Sequence, residues 1–394
     1  MNSINDKLQY LQNKILNTGE KIRIMIFGLG SVGLYLLDYI VSTADPRLEI
    51  IVVGRNYDKM LSDVNIVRTA ATIRRQMRAI IHIEGHCDLE DTDNIASVLK
   101  EWNPDFIVNS SRVYSGLKYG SISWSHLRAY GIWTPLSVKY AKNIMKAYEQ
   151  SDSHAISINT SYSDAVIPWL KSSGMPYFDF GSGNLNHLIP RMKFHIAEKF
   201  GIDNYNDIDI TLAVSHFHDV VISKEGHSEG QDILLEVKHN GEKLEIDKEE
   251  LLAACRIAMP VDQKRNMMNA SSNYDIINSI LTALRDRTKI KIHTPGVDGE
   301  IGGYPFIIDG EGEARGYIDE SVFSLDQMRE ANRQSIYLDG VEDVADGALI
   351  YTDELIEKVK SEFQTEIPKK VPLKESNLIA TQLINNLIFP SVKS

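Results

Sequence analysis

Residues 22–33 read Ile22-Arg23-Ile24-Met25-Ile26-Phe27-Gly28-Leu29-Gly30-Ser31-Val32-Gly33, and a mostly apolar stretch, 34–40, follows directly. An apolar, β-branched run that breaks at a glycine and resumes at helical spacing predicts a strand, a tight turn and a helix in succession. The first glycine permits the turn, the second lets a ligand approach the backbone, and the third brings helix against strand. The helix start then offers unbonded N–H groups and the positive end of a dipole to a pyrophosphate. Gly28, Gly30, Ser31, Val32 and Gly33 are therefore the expected contacts of a bound dinucleotide.

Outward from this stretch, element types alternate. Strands are predicted at 49–53, 80–83, 105–109 and 155–159, and helices at 58–78, 92–102 and 135–149, with Asn103-Pro104 stopping the second. Residues 110–134 read as irregular. Alternation of this kind specifies an α/β fold with a doubly wound parallel Rossmann sheet. Residues 1–20 form an N-terminal helical arm closed by Gly19, 21–160 the dinucleotide-binding Rossmann domain, and 161–394 a mixed α+β substrate domain. In the last part, 208–218 alternates as a strand, 233–246 is a hairpin turned at Asn240-Gly241, and 290–292 and 304–308 add strands around a turn at 309–312. Helices are expected at 187–200, 248–258, 271–287, 325–335, 352–363 and 376–388.

The chain of 394 residues carries 42 basic and 54 acidic side chains, a net charge of −12. A field of that sign disfavours nucleic acid and anionic membrane as partners and leaves a small-molecule substrate, with a homo-oligomer open. Cys87 and Cys255 are too few for a disulfide framework or a cysteine zinc cluster. No leader-like apolar segment opens the chain, and the apolar run over 32–41 is cut by Asp38. A cytoplasmic location is the expectation.

The second strand ends Val52-Val53-Gly54-Arg55-Asn56, where a carboxylate would bind the ribose 2′-OH of NAD. Arg55 and Asn56 stand there instead, and a guanidinium beside a glycine suits a 2′-phosphate, so NADP is favoured over NAD. In a doubly wound sheet the ligand lies beyond the C-terminal strand ends, which directs attention to Asn109-Ser110-Ser111-Arg112 and Asn159-Thr160-Ser161. Ser110 and Ser111 are expected at the cofactor. On the strand expected over 208–218, His216 and His218 share a face with Ile208, Ile210, Leu212 and Val214. Either imidazole can move the proton that accompanies a hydride. Asp219 orients an imidazole or simply begins the next loop. With no third ligand evident beside the two histidines, no metal site is expected.

Asn159, then Gly181-Ser182-Gly183-Asn184-Leu185-Asn186, then a strand ending in His216, together resemble the lactate/malate dehydrogenase superfamily. The segment from Gly303-Tyr304-Pro305-Phe306 to Ser335 is similar to its closing elements. Saccharopine-dehydrogenase-like proteins are similar around 159–168. The resemblance implies hydride transfer between nicotinamide and a small carbonyl/hydroxyl or imine/amine substrate, with His216 as acid/base and Asn159 binding cofactor and substrate oxygen. The family's aspartate partner of the histidine falls on Asn186 and its carboxylate-binding arginine on Ile189. Arg112, Asn186, Arg191 and His218 are therefore the expected substrate contacts, and the resemblance predicts no carboxylate beside His216. A distant relative, the NAD- and metal-dependent family-four glycosidases, would place a cysteine near Gly183. A dinucleotide-sensing protein without catalysis is the third reading.

Overall fold

The computed structural model describes residues 3–17, 19–114 and 116–393, the side chains of Leu117, Lys118, Val392 and Lys393 apart. Helix α1 (Ile4–Leu16) opens on a capping box between Ser3 and Asp6 and buries Leu8, Leu11 and Ile15. There follow β1 (Ile22–Phe27), α2 (Ser31–Ser42), β2 (Leu48–Val53), α3 (Tyr57–Ile73), β3 (Ile80–Glu84), α4 (Thr92–Trp102) and β4 (Phe106–Asn109). The stretch read as irregular holds α5 (Gly116–Ile122) and a π-helical turn, Ser123–Leu127. Then come α6 (Thr134–Gln150), β5 (Ile156–Asn159), α7 (Ser163–Ser172), β6 (Phe180–Gly181) and α8 (Asn184–Phe200).

These six strands form one sheet in the order β3-β2-β1-β4-β5-β6. Every pair is parallel. The order reverses direction between β1 and β4, so the strand ends open a crevice there, at the topological switch point. Phe27 pairs with both Val53 and Asn109, and Asn109 with Asn159, which levels the C-terminal ends of the four central strands. The sheet runs past residue 160, because β6 adds to its edge. The arm is also tied to later parts of the chain. Lys7 Nζ meets Asp179 at 2.7 Å in a buried ion pair, Gln12 donates to Gly310 O at 2.9 Å, and Gly316 N donates to Asn5.

The remaining elements are β7 (Ile208–Ala213), α9 (His216–Glu225), β8 (Leu234–His239), β9 (Glu242–Lys243), α10 (Lys248–Ala254), α11 (Asn266–Asp286), β10 (Lys289–Pro295), β11 (Gly303–Asp309) and β12 (Arg315–Ile318). Last come α12 (Leu325–Leu338), β13 (Val341–Ala345), β14 (Ala348–Tyr351), α13 (Asp353–Phe363), β15 (Lys370–Pro372) and α14 (Ser376–Leu383). They make three small antiparallel sheets, β7-β8-β9, β10-β11-β12 and β13-β14-β15. The first turns at Asn240 (φ 51°) and Gly241 (φ 85°), the paired positive angles that a two-residue hairpin demands. Among the described residues no helix is long and apolar enough to cross a membrane.

One predicted element is corrected. The strand expected over 208–218 stops at Ala213; Ser215 precedes α9 with its hydroxyl donated to Ser335 Oγ, and His216 is the first residue of that helix. The two-residue spacing of Ile208, Ile210 and Leu212 continues in the sequence through Val214 and masks the change of element, although every residue from Ile210 to Ser215 is buried.

Candidate active site

A crevice of about 1000 Å³ runs along the strand ends, at the upper end of ordinary ligand pockets. At one end lies the glycine loop. Gly28 takes φ +89°, and a Cβ there would meet Ser111 backbone at 3.0 Å. A Cβ on Gly33 would lie 2.2 Å from Gly28 O, so the third glycine is fixed by helix packing. At Gly30 a Cβ would meet nothing within 4 Å of protein, and Gly30 caps α2 with no side-chain bond. The N–H groups of the first turn, Ser31 and Val32 included, thus face open space. This is a cradle of the size and polarity that a pyrophosphate fits.

Ser110 donates to Gly28 O at 2.7 Å and binds the loop to β4, and Ser111 donates to Asn109 Oδ1. Both line the crevice, as do Arg55, Asn56 and Arg112. Asn56 Oδ1 accepts from Lys59 N at 3.0 Å and caps α3. Arg55 is exposed, with no partner among the described residues. The carboxylate at the end of β3, Glu84, accepts from Trp102 Nε1 at 3.0 Å.

Asn159 does not reach the crevice. Its Oδ1 accepts from Asn109 Nδ2 at 2.9 Å, and its Nδ2 donates to Ser161 O and Ser163 Oγ at 3.0 Å each. Fully buried and fully bonded, it holds the ends of β4 and β5 together while Thr160, Ser161 and Tyr162 present themselves to the crevice. The expected contact of Asn159 with cofactor and substrate is therefore corrected: its amide is spent within the protein, and its neighbours line the crevice in its place.

His216 lines the far end of the crevice. The expectation that no carboxylate neighbours it is overturned. Its Nδ1 lies 2.8 Å from Oδ2 of Asp339, which follows α12 and is completely buried. The same Oδ2 accepts from Tyr162 OH at 2.7 Å, and Oδ1 accepts from Tyr130 N at 2.7 Å. The rings of Tyr130 and Tyr162 stand edge-on to the imidazole, with centroids 4.8 and 5.1 Å away. Behind it, the N–H of His216 donates to Asp164 Oδ1 at 2.9 Å, an acidic cap on α9 supplied by α7. Burial works to lower the His216 pKa, yet Asp339, its hydrogen bond, Asp164 and Asp219 together outweigh it and raise the value. Burial drives the Asp164 carboxyl up to about 6 against the pull of His216. Tyr162 sits at φ 46°, a left-handed angle rare for a bulky residue, in the turn that delivers its hydroxyl.

His218 is not brought to the crevice. Nδ1 binds Ser335 Oγ at 2.7 Å and Nε2 binds Ser228 O at 3.1 Å, so both ring nitrogens are occupied in the core. Asn186 turns to Ser272 Oγ at 3.0 Å instead of His216 or a substrate. Arg191 does line the crevice, its guanidinium held by Cys255 O at 3.0 Å and His187 O at 3.2 Å. Asp219 lies in the first turn of α9 and faces a different imidazole, His187, at 3.8 Å. Sequence reading missed Tyr130, Tyr162, Asp164, His187 and Asp339. Ser215 and Asp219 were available as helix-start signals for α9. Burial pushes the thiols of Cys87 and Cys255 up to about 12, so both are protonated at neutral pH.

No protein-family model and no curated protein sequence is similar to the chain. Solved structures are. A lactate dehydrogenase from Cryptosporidium parvum, complexed with lactic acid and nicotinamide adenine dinucleotide, superposes with a TM-score of 0.53 at 16% identity, over 81% of this chain and 96% of the other. A malate dehydrogenase from Aeropyrum pernix gives 0.52 at 16% identity, over 80% and 97%. The fold is that of the lactate and malate dehydrogenases. Within this dehydrogenase fold, the carboxylate beside the histidine comes from the segment after α12, and Asn186 has a structural partner of its own.

Proposed function

We propose that the protein is an NAD(P)-dependent oxidoreductase acting on a small carbonyl/hydroxyl or imine/amine substrate. The observation that carries this reading is one continuous crevice with an uncapped Rossmann helix at one end and a carboxylate-held imidazole at the other. The residues fit a dinucleotide: Gly30 leaves the backbone open, and the first turn of α2 points N–H groups at the space. Nicotinamide, when bound, supplies or takes the hydride. His216 moves the proton, because Asp339 occupies Nδ1 and leaves Nε2 for the substrate oxygen or nitrogen. Asp339 favours the charged ring, so His216 enters the reductive direction as a donor, and the Tyr130 and Tyr162 rings fix its plane. Thr160 and Ser161 replace Asn159 as polar contacts at the strand end.

NADP is the favoured cofactor. An unpaired Arg55 beside Gly54, with Glu84 already bound to Trp102, suits a 2′-phosphate better than a 2′-hydroxyl. Titration of NADPH and NADH against the wild type and Arg55→Ala tests this. Loss of a charge-assisted contact weakens NADPH by roughly ten-fold to more than a hundred-fold and leaves NADH nearly unchanged. Equal affinities in the wild type would remove the preference. Failure of both cofactors to bind would remove the oxidoreductase reading itself.

A further inference from the structure

At the His216 end the crevice is walled by α8 and α9, and its polar lining there is unfinished. Asp219 is 5% exposed, and its Oδ1 has no hydrogen-bond partner among the described residues. Of the four other buried atoms in this condition among the described residues, Asn94 Oδ1 and Glu236 Oε1 lie elsewhere, and the remaining two are Nε2 of His187 and Oγ of Ser223. All three residues line the crevice. Buried polar groups are nearly always bonded, so three unmet atoms on residues that line one crevice mark a place where a ligand, once these side chains turn toward it, completes the bonding.

The chemistry of the three atoms names their complement. A carboxylate oxygen only accepts. Burial lowers the His187 pKa and keeps the ring neutral, so its unbonded Nε2 gives or takes a hydrogen bond according to the tautomer. Ser223 Oγ gives or takes. The demand is therefore for a donor to Asp219 beside two groups that can do either. An ammonium group would meet it, but Arg191, Arg265 and Lys224 face the same space, and Arg265 has no ion-pair partner among the described residues. The other acid at this end, Asp262, caps its own turn through Lys264 N and pairs with the Lys264 side chain. The positive surplus repels a cation and attracts an anion, which leaves neutral hydroxyls as the donors. From His216 to Ser223 along α9 is on the order of 10 Å, more than a three-carbon acid spans.

We propose that Asp219, His187 and Ser223 form a hydroxyl-recognition subsite, and that the substrate is a polyhydroxylated anion, a sugar acid or a polyol phosphate. The subsite rests on the oxidoreductase reading only in calling its ligand the substrate.

Calorimetry with the full chain, with and without NADP⁺, tests the assignment using gluconate, glucitol 6-phosphate and lactate. Gluconate or the phosphate binds at least ten-fold more tightly than lactate, and the better of the two tells carboxylate from phosphate. Asp219→Ala and the milder Ser223→Ala each weaken that binding ten-fold or more and leave lactate unchanged, a difference that a merely structural role would not produce. NADPH titration of each variant reports that it is folded. Polyol anions that bind no better than lactate, or binding indifferent to both variants, overturn the subsite. Polyol binding without any nicotinamide binding would sustain the subsite and remove the oxidoreductase reading. Cofactor binding without polyol binding does the reverse.

Discussion

The Gly28 end of the crevice comes from one unbroken stretch of chain and works mainly through backbone, whereas the His216 end collects side chains from positions 130, 162, 164, 216 and 339. A backbone cradle tolerates changes of side chain but not the gain of one. A convergent side-chain cluster has the opposite weakness: each member is replaceable in shape and irreplaceable in chemistry. Substitutions at the two ends should accordingly separate binding from rate.

The largest effect is expected at the convergent end. His216→Asn keeps cofactor affinity and lowers the reductive rate by roughly 10² to 10⁴, the usual size of general acid catalysis. Rapid-mixing measurement of NADPH oxidation reads it, and His218→Asn is the comparison, with a stability loss and little change in rate. A dead His218→Asn beside a normal His216→Asn would move the proton donor to the residue that the structure places in the core.

The glycines sharpen the contrast within the other end. Gly30→Val leaves the fold intact, because its Cβ meets no protein, yet weakens NADPH by about a hundred-fold or more, since the side chain fills the phosphate cradle. Gly33→Val fails differently, by driving a side chain into Gly28 O, and costs about 1–3 kcal/mol of stability or more. Cofactor titration and urea melts, run on both variants, distinguish the two modes.

Asp339→Asn has a smaller effect on rate, roughly ten-fold to a hundred-fold, the value of one charge-assisted bond. Its signature is in pH. Asp339 helps to raise the His216 pKa, so its loss moves the alkaline limb of the reductive kcat/KM profile to lower pH. The stability linkage has the same sign. A histidine raised in the folded state contributes fully below its ordinary value near 6.5 and loses that contribution as pH rises through the folded value. The stability gap between wild type and Asp339→Asn therefore narrows from pH 5.5 to pH 9. A gap that widened would mean that His216 is neutral in the wild type.

The smallest expected effect is none. EDTA should leave turnover unchanged, because among the described residues the group of three side chains able to hold a metal is Glu225, His227 and Glu229, and Arg128 already bonds both glutamates. Loss of activity restored by manganese would instead favour the glycosidase-like chemistry.

The same contrast governs what could be read from the sequence. The glycine loop, the strand and helix that flank it and the hairpin at Asn240-Gly241 are local, and their physics is complete within a few residues. The α9 start was legible in principle, from Ser215 and Asp219, but buried Val214 prolonged the two-residue rhythm. Asp339 offered no such clue. Followed by Gly340, it reads as a turn dipeptide, and only the packing of α12 brings it to a histidine 123 positions earlier. Asn159 misled for the opposite reason: its position at the strand end is right, but both ends of its amide are consumed by Asn109, Ser161 and Ser163.

The ties between α1 and distant segments set a schedule for synthesis. Gln12 bonds to Gly310, 298 positions later, and Asn5 to Gly316, 311 later. At about 5–20 residues per second, α1 waits on the order of 15–60 s after its own synthesis for that part of its docking surface. Throughout that interval Leu8, Leu11 and Ile15 lack part of their final cover, so α1 keeps an apolar face open until the distant segments arrive.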